Sequence, residues 1–212
     1  MNNKRYLPII LLILISALFY AIPLNIIDVN QNVNDKPIGE IKNGSNVGQS
    51  FTSNEDKLCE IDVSLATYAR TNTEEIIFHL KNQSGSGTDL VTIKINAKNV
   101  KDNSYYPFKF KPIENSKGKH YYFYLESPDS VPGNAITAWY SQNDKYEEGT
   151  AYLNHEKIDG DLKFRTLYEI HGSEILKNFH ERILQDIPFF VFYLPSIFIL
   201  LFLLYRTQRH EN

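Results

Sequence analysis

The chain has one cysteine, one methionine and one tryptophan among 212 residues. A single cysteine, Cys59, excludes an internal disulfide and a zinc site with four cysteine ligands. Positive charge is also scarce, because 22 Lys and Arg residues face 25 Asp and Glu residues and the formal net charge is −3. Binding to nucleic-acid phosphates needs a clustered basic surface, so we expect no nucleic-acid partner.

The common catalytic and nucleotide-binding signatures are missing as well. The sequence has no GxSxG, no GxGxxG and no P-loop, and none of its six histidines has HExxH spacing. Cys59 has no base beside it, which favours a buried, inert thiol. Asp159-Gly160-Asp161 has the DxD pattern of metal-dependent sugar-nucleotide transferases, but its β-rich surroundings favour a hairpin turn. We therefore predict that the chain is not an enzyme.

Two long uncharged apolar runs lie near the ends of the chain, over residues 7–27 and 187–205. As helices they would reach about 31 Å and about 28 Å, close to the hydrocarbon thickness of a bilayer. We predict a transmembrane helix in each run, and so the lipid bilayer as a partner. The first run could instead be a cleavable signal peptide, and the second a buried helix of a soluble domain.

The charges beside these runs predict the topology. Lys4 and Arg5 precede the first run, and Arg206 and Arg209 follow the second. Positive residues prefer the cytoplasmic side, so we expect a two-pass protein of the plasma membrane with the intervening residues outside. The predicted cytoplasmic tails are residues 1–6 and 206–212.

Between the two runs the sequence is mainly β. Apolar and polar residues alternate with period 2 in several stretches, as in Val91-Thr92-Ile93-Lys94-Ile95. Turns rich in Gly, Asn and Ser separate these stretches. We predict an antiparallel β-sandwich, jelly-roll-like, over residues 48–170.

Two connecting segments flank the predicted sandwich. Residues 28–47 have no hydrophobic period and are predicted to be a linker. Residues 173–186 place Leu176, Phe179 and Ile183 at helical spacing, which predicts an amphipathic helix. The alternative for this second segment is a solvated linker with helical tendency.

The aromatic residues that the predicted sandwich could expose indicate a ligand site. Trp139 and Tyr140 lie close in sequence to Asn143 and Asp144. Sugar rings stack on flat aromatic faces, while amides and carboxylates bind hydroxyl groups, so we predict that these four residues form a ligand-binding site. The alternative is that Trp139 fills the core of the sandwich.

We expect no cofactor other than a possible Ca²⁺ ion, and we predict two N-glycosylation sites. The oxygen-rich segment Asn30–Asp35 could supply ligands to a Ca²⁺ ion. Asn43 and Asn82 begin N-glycosylation sequons in predicted loops.

From Gly48 to Tyr168 the sequence resembles an extracytoplasmic β-sandwich module of bacterial and archaeal membrane proteins. The resemblance rests on the blocks GQSFTSNEDKLCEIDVSLATYARTNTEEIIFHL, DNSYYPFKFKPIENSKGKHYYFYLESPDSVPGNAITAW and GDLKFRTLY. In that family the module is often joined to multi-pass glycosyltransferases. The resemblance implies a carbohydrate-binding-like jelly roll near glycan assembly, with no catalytic residues to carry over.

These features lead to a ranked set of functions. The first is a membrane-anchored, non-catalytic recognition module outside the cytoplasm, which binds a glycan or an envelope-assembly membrane protein. The second is an accessory or structural subunit of a membrane complex for cell-envelope glycan assembly. The third is a hydrolase or transferase acting on envelope glycans, which would need two carboxylates converging in a cleft.

Overall fold

The structure is a computed structural model that describes residues 7–82, 87–187 and 189–210. The chain divides into two compact units, one over Asn25–Glu169 and one formed by the two ends of the chain. The strands are β1 (Pro23–Gln31), β2 (Lys36–Pro37), β3 (Asn46–Thr52), β4 (Leu58–Ala66), β5 (Glu75–Asn82), β6 (Val91–Asn96), β7 (Ser104–Ile113), β8 (His120–Glu126), β9 (Thr137–Ser141), β10 (Ala151–Leu153), β11 (Glu156–Ile158), β12 (Asp161–Leu162) and β13 (Phe164–His171). The helices are α1 (Leu7–Ala21), α2 (Gly172–Gln185) and α3 (Leu194–His210), with a 3₁₀ turn at Ala97–Asn99 and a π-helical turn at Phe189–Tyr193.

The strands form two antiparallel sheets, which confirms the predicted mainly β, sandwich-like fold. One sheet has seven strands in the order β1-β13-β4-β9-β12, with β2 beside β9 and β7 beside β4. The other has six strands in the order β11-β10-β3-β8-β5-β6. The strand β8 lies in the middle of the six-stranded sheet and pairs with β3 on one side and β5 on the other.

Alternation along the strands places one face of each sheet in the core and the other face outside. In β8, Tyr121, Phe123 and Leu125 are buried in the core, and Tyr122 and Tyr124 point to the outer face. The centre of the core is a cluster of aromatic side chains from both sheets. Its members are Phe51, Phe78, Phe108, Tyr121, Phe123 and Phe164.

The segment predicted to be a linker, residues 28–47, is part of the sandwich, so the linker prediction is corrected. It contains the end of β1, the short strand β2 and the start of β3. Ile38 and Ile41 donate backbone hydrogen bonds to Ala138 and Ile136, and Ile41 is fully buried. Only β2 lies wholly within the segment, and a strand of two residues is too short for alternation to show in the sequence.

The first apolar run divides between two elements. Helix α1 ends at Ala21, and Pro23 begins strand β1, so residues 23–27 are not helical. Proline lacks the backbone N–H that a continuing helix would need. In the second apolar run, a π-helical turn precedes α3, which continues beyond residue 205 to His210. Among residues 7–82, 87–187 and 189–210, no helix is both long enough and apolar enough to cross a membrane.

The terminal unit is formed by helices that expose apolar side chains. Helix α1 contacts α2, and Gly172 at the start of α2 lies so close to Phe19 that a Cβ there would be 2.3 Å from the carbonyl oxygen of Phe19. Helix α2 spans Gly172–Gln185, where the sequence predicts a helix over residues 173–186. The predicted tail 1–6 and the last two residues of the predicted tail 206–212 lie outside the described residues.

Candidate functional site

The predicted ligand-binding residues do not share one surface. Tyr140 faces the core, is 7% exposed, and donates a hydrogen bond to the carbonyl oxygen of Asp159. Trp139 is its neighbour on β9 and therefore points to the outer face of the seven-stranded sheet. The indole is half-buried there, and its Nε1 donates to Asn103 Oδ1 at 3.0 Å. Trp139 therefore does not fill the core, and Tyr140 cannot stack beside it on a ligand.

Asn143 and Asp144 lie in the exposed loop that follows β9. The carboxylate of Asp35 holds the start of this loop by accepting hydrogen bonds from Gln142 N at 2.9 Å and Ser141 Oγ at 3.2 Å. No hydrogen bond between described residues joins Trp139 to Asn143 or Asp144. The structure thus separates Tyr140, which faces the core, from the other three predicted residues, which lie outside it.

The proposed calcium ligands in Asn30–Asp35 bind other parts of the protein. The amide of Gln31 contacts the carbonyl oxygen of Leu162, and Asn34 Oδ1 accepts from Lys163 Nζ at 3.0 Å. Asp35 caps the loop after β9, as described above. In the part of the chain that the structure describes, no group of three or more His, Cys, Asp or Glu residues could hold a metal ion.

Two carboxylates lie close together on the outer face of the seven-stranded sheet but are closed to solvent. The side chains of Glu60 and Asp62 are 7% and 3% exposed. Asp62 Oδ2 lies 2.6 Å from Arg165 Nε, and Glu60 Oε2 accepts from Asn25 Nδ2 at 3.0 Å. Burial raises the pKa of Glu60, and the adjacent Asp62 adds to this effect. Such a covered, paired arrangement offers no carboxylate to a substrate.

The outer face of the six-stranded sheet carries a row of aromatic side chains. We call Tyr122 and Tyr124 on β8 and Tyr152 on β10 the tyrosine face. The ring centroid of Tyr122 is 5.6 Å from that of Tyr124 and 4.8 Å from that of Tyr152. Tyr122 and Tyr152 are partly exposed, whereas Tyr124 is 7% exposed. The row therefore offers apolar ring surface and phenol oxygens to a ligand.

A glycine on the central strand β3 makes this row possible. Gly48 pairs with Tyr124 on one side and Tyr152 on the other. A Cβ at this position would lie 2.6 Å from the carbonyl oxygen of Phe123 and 2.7 Å from the Tyr122 ring. The absence of a side chain at Gly48 lets Tyr122 lie across β3 and reach Tyr152.

His79 on β5 supports the other end of the tyrosine face. Its ring stacks on Tyr124 with centroids 4.3 Å apart and planes 4° from parallel. His79 Nδ1 is 2.6 Å from Asp89 Oδ2, and Nε2 is 3.3 Å from Glu126 Oε1. Lys81 Nζ lies 3.4 Å from Asp89 Oδ1 and 5.3 Å from the centroid of the Tyr124 ring. The network therefore holds the Tyr124 ring in contact with a flat ring and near a cation.

The ionisation of this surface follows from burial and from these contacts. Burial raises the pKa of Tyr122 and Tyr124, although Lys81 opposes the rise at Tyr124. Burial also disfavours the ionised form of Asp89, but hydrogen bonds from His79 and Thr92 leave its pKa below the ordinary value. At neutral pH the surface therefore combines neutral phenols with a charged Asp89.

A small polar pocket adjoins the tyrosine face. Its volume is about 200 Å³, and its lining runs from Lys42 to Asn46 and from Glu126 to Pro128. Glu126 belongs both to this pocket and to the His79 network. The predicted glycosylation site Asn43 lies in its wall and is exposed. The predicted site at Asn82 is also exposed, but the rest of its sequon lies outside the described residues.

Sequence reasoning found the strand that carries this surface but not the surface itself. The stretch His120–Leu125 is almost continuously aromatic in sequence, and in a strand its alternate residues Tyr122 and Tyr124 necessarily share a face. Tyr152 and His79 join them only through long-range strand pairing. A useful signal would have been Gly48 opposite an aromatic strand, since glycine within a strand marks a close approach.

Comparison with protein-family models gave no match, and comparison with curated proteins found no similar sequence. The function is therefore inferred from the geometry of the tyrosine face and of the polar pocket beside it.

Proposed function

We propose that the chain is a membrane-attached, non-catalytic recognition module that binds glycans of the cell envelope outside the cytoplasm. In this proposal the sandwich is a jelly roll of the carbohydrate-binding-like kind that the sequence resembles. The observation that carries the proposal is the tyrosine face, with its partly exposed rings of Tyr122 and Tyr152 beside charged and amide groups. Trp139, Asn143 and Asp144 have no such arrangement.

A sugar needs both apolar and polar contacts, and the tyrosine face supplies the two together. The C–H groups of a pyranose pack on aromatic rings, and its hydroxyl groups both donate and accept hydrogen bonds. His155 stands at the rim of the face, with its ring 5.1 Å from that of Tyr124 and its Nδ1 3.4 Å from the Tyr122 phenol oxygen. Lys81 and Glu126 add one cation and one anion at the other end.

Substitution of Tyr152 with alanine tests the glycan proposal. We expect binding of the full chain to envelope glycans on an array to weaken at least about tenfold, because ring contact worth about 1.4 kcal/mol is lost. The chain should be held in lipid nanodiscs, since detergents with sugar head groups would compete for the site. Tyr152 lies on the outer face near an edge of its sheet, so its removal opens no cavity in the core.

The matched control is the Tyr105→Ala variant. Tyr105 is likewise partly exposed, but it lies on the outer face of the seven-stranded sheet, where Arg165 and Lys163 flank its ring. Binding should be unchanged in this variant. Equal loss in both variants, or no glycan binding by the unsubstituted chain, would contradict the proposal.

Membrane attachment is supported by apolar side chains that the terminal unit leaves exposed. In α1, Leu14 and Leu18 are 59% and 61% exposed, and in α3, Phe198 and Phe202 are 63% and 61% exposed. Water would solvate these groups poorly, and burial of the exposed part of each side chain in lipid would recover about 1–2 kcal/mol. The proposed two-pass topology, with both termini cytoplasmic, comes from the flanking Lys and Arg residues.

Two measurements on bacterial cells test the membrane proposal. We expect the chain to stay in the membrane pellet after carbonate extraction, because two apolar segments bind lipid. Protease added to cells with a permeabilised outer layer should digest the sandwich and spare tags at both termini. Substitution of Leu14 and Leu18 by lysine should release part of the chain. Release of the unsubstituted chain by carbonate, or cleavage by the protease of the tags and not of the sandwich, would contradict the proposal.

A second function, an accessory subunit of a membrane complex for glycan assembly, is favoured by helix α2. This helix exposes Leu176, Phe179 and Leu184 to about half of their area. Their exposure is suited to packing against another membrane protein. Crosslinking in intact membranes would support this function if a defined partner is captured through α2, and a chain that remains monomeric would oppose it.

A further inference from the structure

The polar pocket beside the tyrosine face has the size of a single small ligand. Its volume of about 200 Å³ is below the range of about 300–1,000 Å³ typical of drug-sized ligands. Roughly seven water molecules occupy the same volume in liquid water. A single sugar ring fits such a volume, and a disaccharide does not.

Several polar groups in the pocket are not used by the fold. The Lys42 ammonium and the Asn43 side-chain amide make no hydrogen bond or ion pair with the part of the chain that the structure describes. Asn46 Oδ1 accepts from His155 N at 3.1 Å, which leaves its amide nitrogen available. Glu126 uses one carboxylate oxygen toward His79 and keeps the other. Charged and neutral hydrogen-bond donors and acceptors therefore line the same small pocket.

The backbone that presents these groups is fixed. Ser45 Oγ accepts from Lys42 N at 2.9 Å, and Asn43 N donates to Ser130 O at 2.9 Å. Ser127 Oγ donates to the carbonyl oxygen of Glu75 at 2.5 Å. A preorganised loop of this kind loses little conformational entropy when a ligand binds.

The pocket is continuous with the tyrosine face. Asn46 is the partner of Glu126 in the register between β3 and β8, and Tyr124 is two residues before Glu126 on the same outer face. His155 bridges the two regions, since its backbone N–H binds Asn46 and its ring contacts Tyr124. A chain of sugars lying along the tyrosine face would thus reach the pocket with one end.

We propose that this pocket, formed by Lys42, Asn43, Asn46 and Glu126, binds one neutral hexose at the end of a glycan. This inference rests on the proposed glycan-binding function and assigns its end-specific subsite. The pocket carries one cation, Lys42, and one anion, Glu126. A charged sugar would place its charge near the one of like sign, whereas an uncharged sugar meets no such repulsion. The amides and the two charged groups bind its hydroxyl groups, while Tyr122 and Tyr152 supply ring surface to the neighbouring sugars of the chain.

The test uses the full chain in nanodiscs, with the Lys42→Met and Asn43→Ala variants combined. The probes are neutral linear oligosaccharides of glucose, galactose or mannose, each free or methyl-capped in turn at either end. We expect the double variant to bind the preferred oligosaccharide about tenfold more weakly, and we expect one capped end to have the same effect on the unsubstituted chain. Free monosaccharide of the preferred kind should displace the oligosaccharide from the unsubstituted chain but not from the double variant.

Controls separate this inference from the function on which it rests. The Lys98→Met variant removes an exposed lysine of the 3₁₀ turn and should bind normally. Production in bacteria without N-glycosylation, checked by mass spectrometry, keeps Asn43 unmodified. Oligosaccharide binding that depends on Tyr152 but not on the pocket variants or on the capped end would overturn the inference alone. A lack of binding to every oligosaccharide would overturn the proposed function together with it.

Discussion

Replacing Phe123 with alanine is expected to lower the free energy of unfolding of the sandwich by about 3–5 kcal/mol. Phe123 is fully buried on the central strand β8. Its ring centroid is 5.6 Å from Phe164 in the opposite sheet and 5.9 Å and 6.2 Å from Phe78 and Phe51 in its own sheet. The substitution removes a ring that three others contact, and rigid strands on both sides prevent the cavity from collapsing.

Urea denaturation of the full chain in nanodiscs, followed by the fluorescence of Trp139, measures this loss. Trp139 is partly exposed on the outer face of the other sheet, so its signal reports unfolding and not the substitution itself. The comparison variant is Tyr105→Ala, which removes a ring of similar size from a partly exposed position and should cost less than about 1.5 kcal/mol. A loss at Phe123 no larger than that at Tyr105 would show that the aromatic cluster does not hold the two sheets together.

The strands of this sandwich are predictable from the sequence where they are long and have one face in the core. Val91–Asn96 is an example, since its alternation of apolar and polar residues is the direct consequence of one buried face. The segment 28–47 shows the opposite case. Strand β2 has two residues, so hydrophobic period cannot reveal it, and only its hydrogen bonds to β9 place it in the sheet.

The candidate site was less predictable because it depends on long-range pairing. Trp139 and Tyr140 are adjacent in sequence, and for that reason they point to opposite faces of their strand. Tyr122 and Tyr152 are 30 residues apart and touch because β8 and β10 both pair with β3. The helix boundary at Ala21 was missed for a related reason, since the apolar residues Ile26 and Ile27 suit a strand as well as a helix.

Replacing Asp161 with alanine is expected to lower the free energy of unfolding by about 3–5 kcal/mol. Asp161 is fully buried, and its Oδ2 accepts from Lys145 N at 2.7 Å and Tyr146 N at 2.9 Å. Its Oδ1 accepts from Gln49 Nε2 at 2.9 Å. Each of the three donors would lose its acceptor, at a cost of about 1–3 kcal/mol per buried group.

The contacts of Asp161 also explain the DxD pattern in which it lies. Its two carboxylate oxygens face protein donors, while Asp159 is exposed in the bend before it. Gly160 between them has φ of +99°, and a Cβ there would be 2.0 Å from the carbonyl oxygen of Ser141. The pattern therefore lies in a bend that leads from β11 in one sheet to β12 in the other, and the predicted hairpin turn falls instead at Asn154–His155, between β10 and β11. The second carboxylate of the pattern holds the Lys145–Tyr146 backbone.

The pH dependence of stability distinguishes this role from simple packing. Burial raises the pKa of Asp161 above 3.8, although its three donors oppose the rise. The folded state therefore keeps this proton to a higher pH than the unfolded state does, so the contribution of Asp161 to stability falls as pH rises from about 3.8 through the folded pKa. The difference in unfolding free energy between the native chain and Asp161→Ala should accordingly shrink across that range and then stay constant up to pH 8.

Denaturation at a series of pH values from 3.5 to 8 measures this difference, with Asp159→Ala as the control that removes an exposed carboxylate two residues away. The Asp161→Asn variant adds a sharper comparison. One amide oxygen can still accept from Lys145 and Tyr146, but the amide nitrogen would face Gln49 Nε2, another donor, and Gln49 cannot turn because its Oε1 accepts from Leu162 N at 2.8 Å. We expect Asp161→Asn to fall between the native chain and Asp161→Ala at neutral pH. Equal stability of the Asp161→Ala and Asp159→Ala variants would mean that the loop over residues 142–149 does not depend on the buried carboxylate.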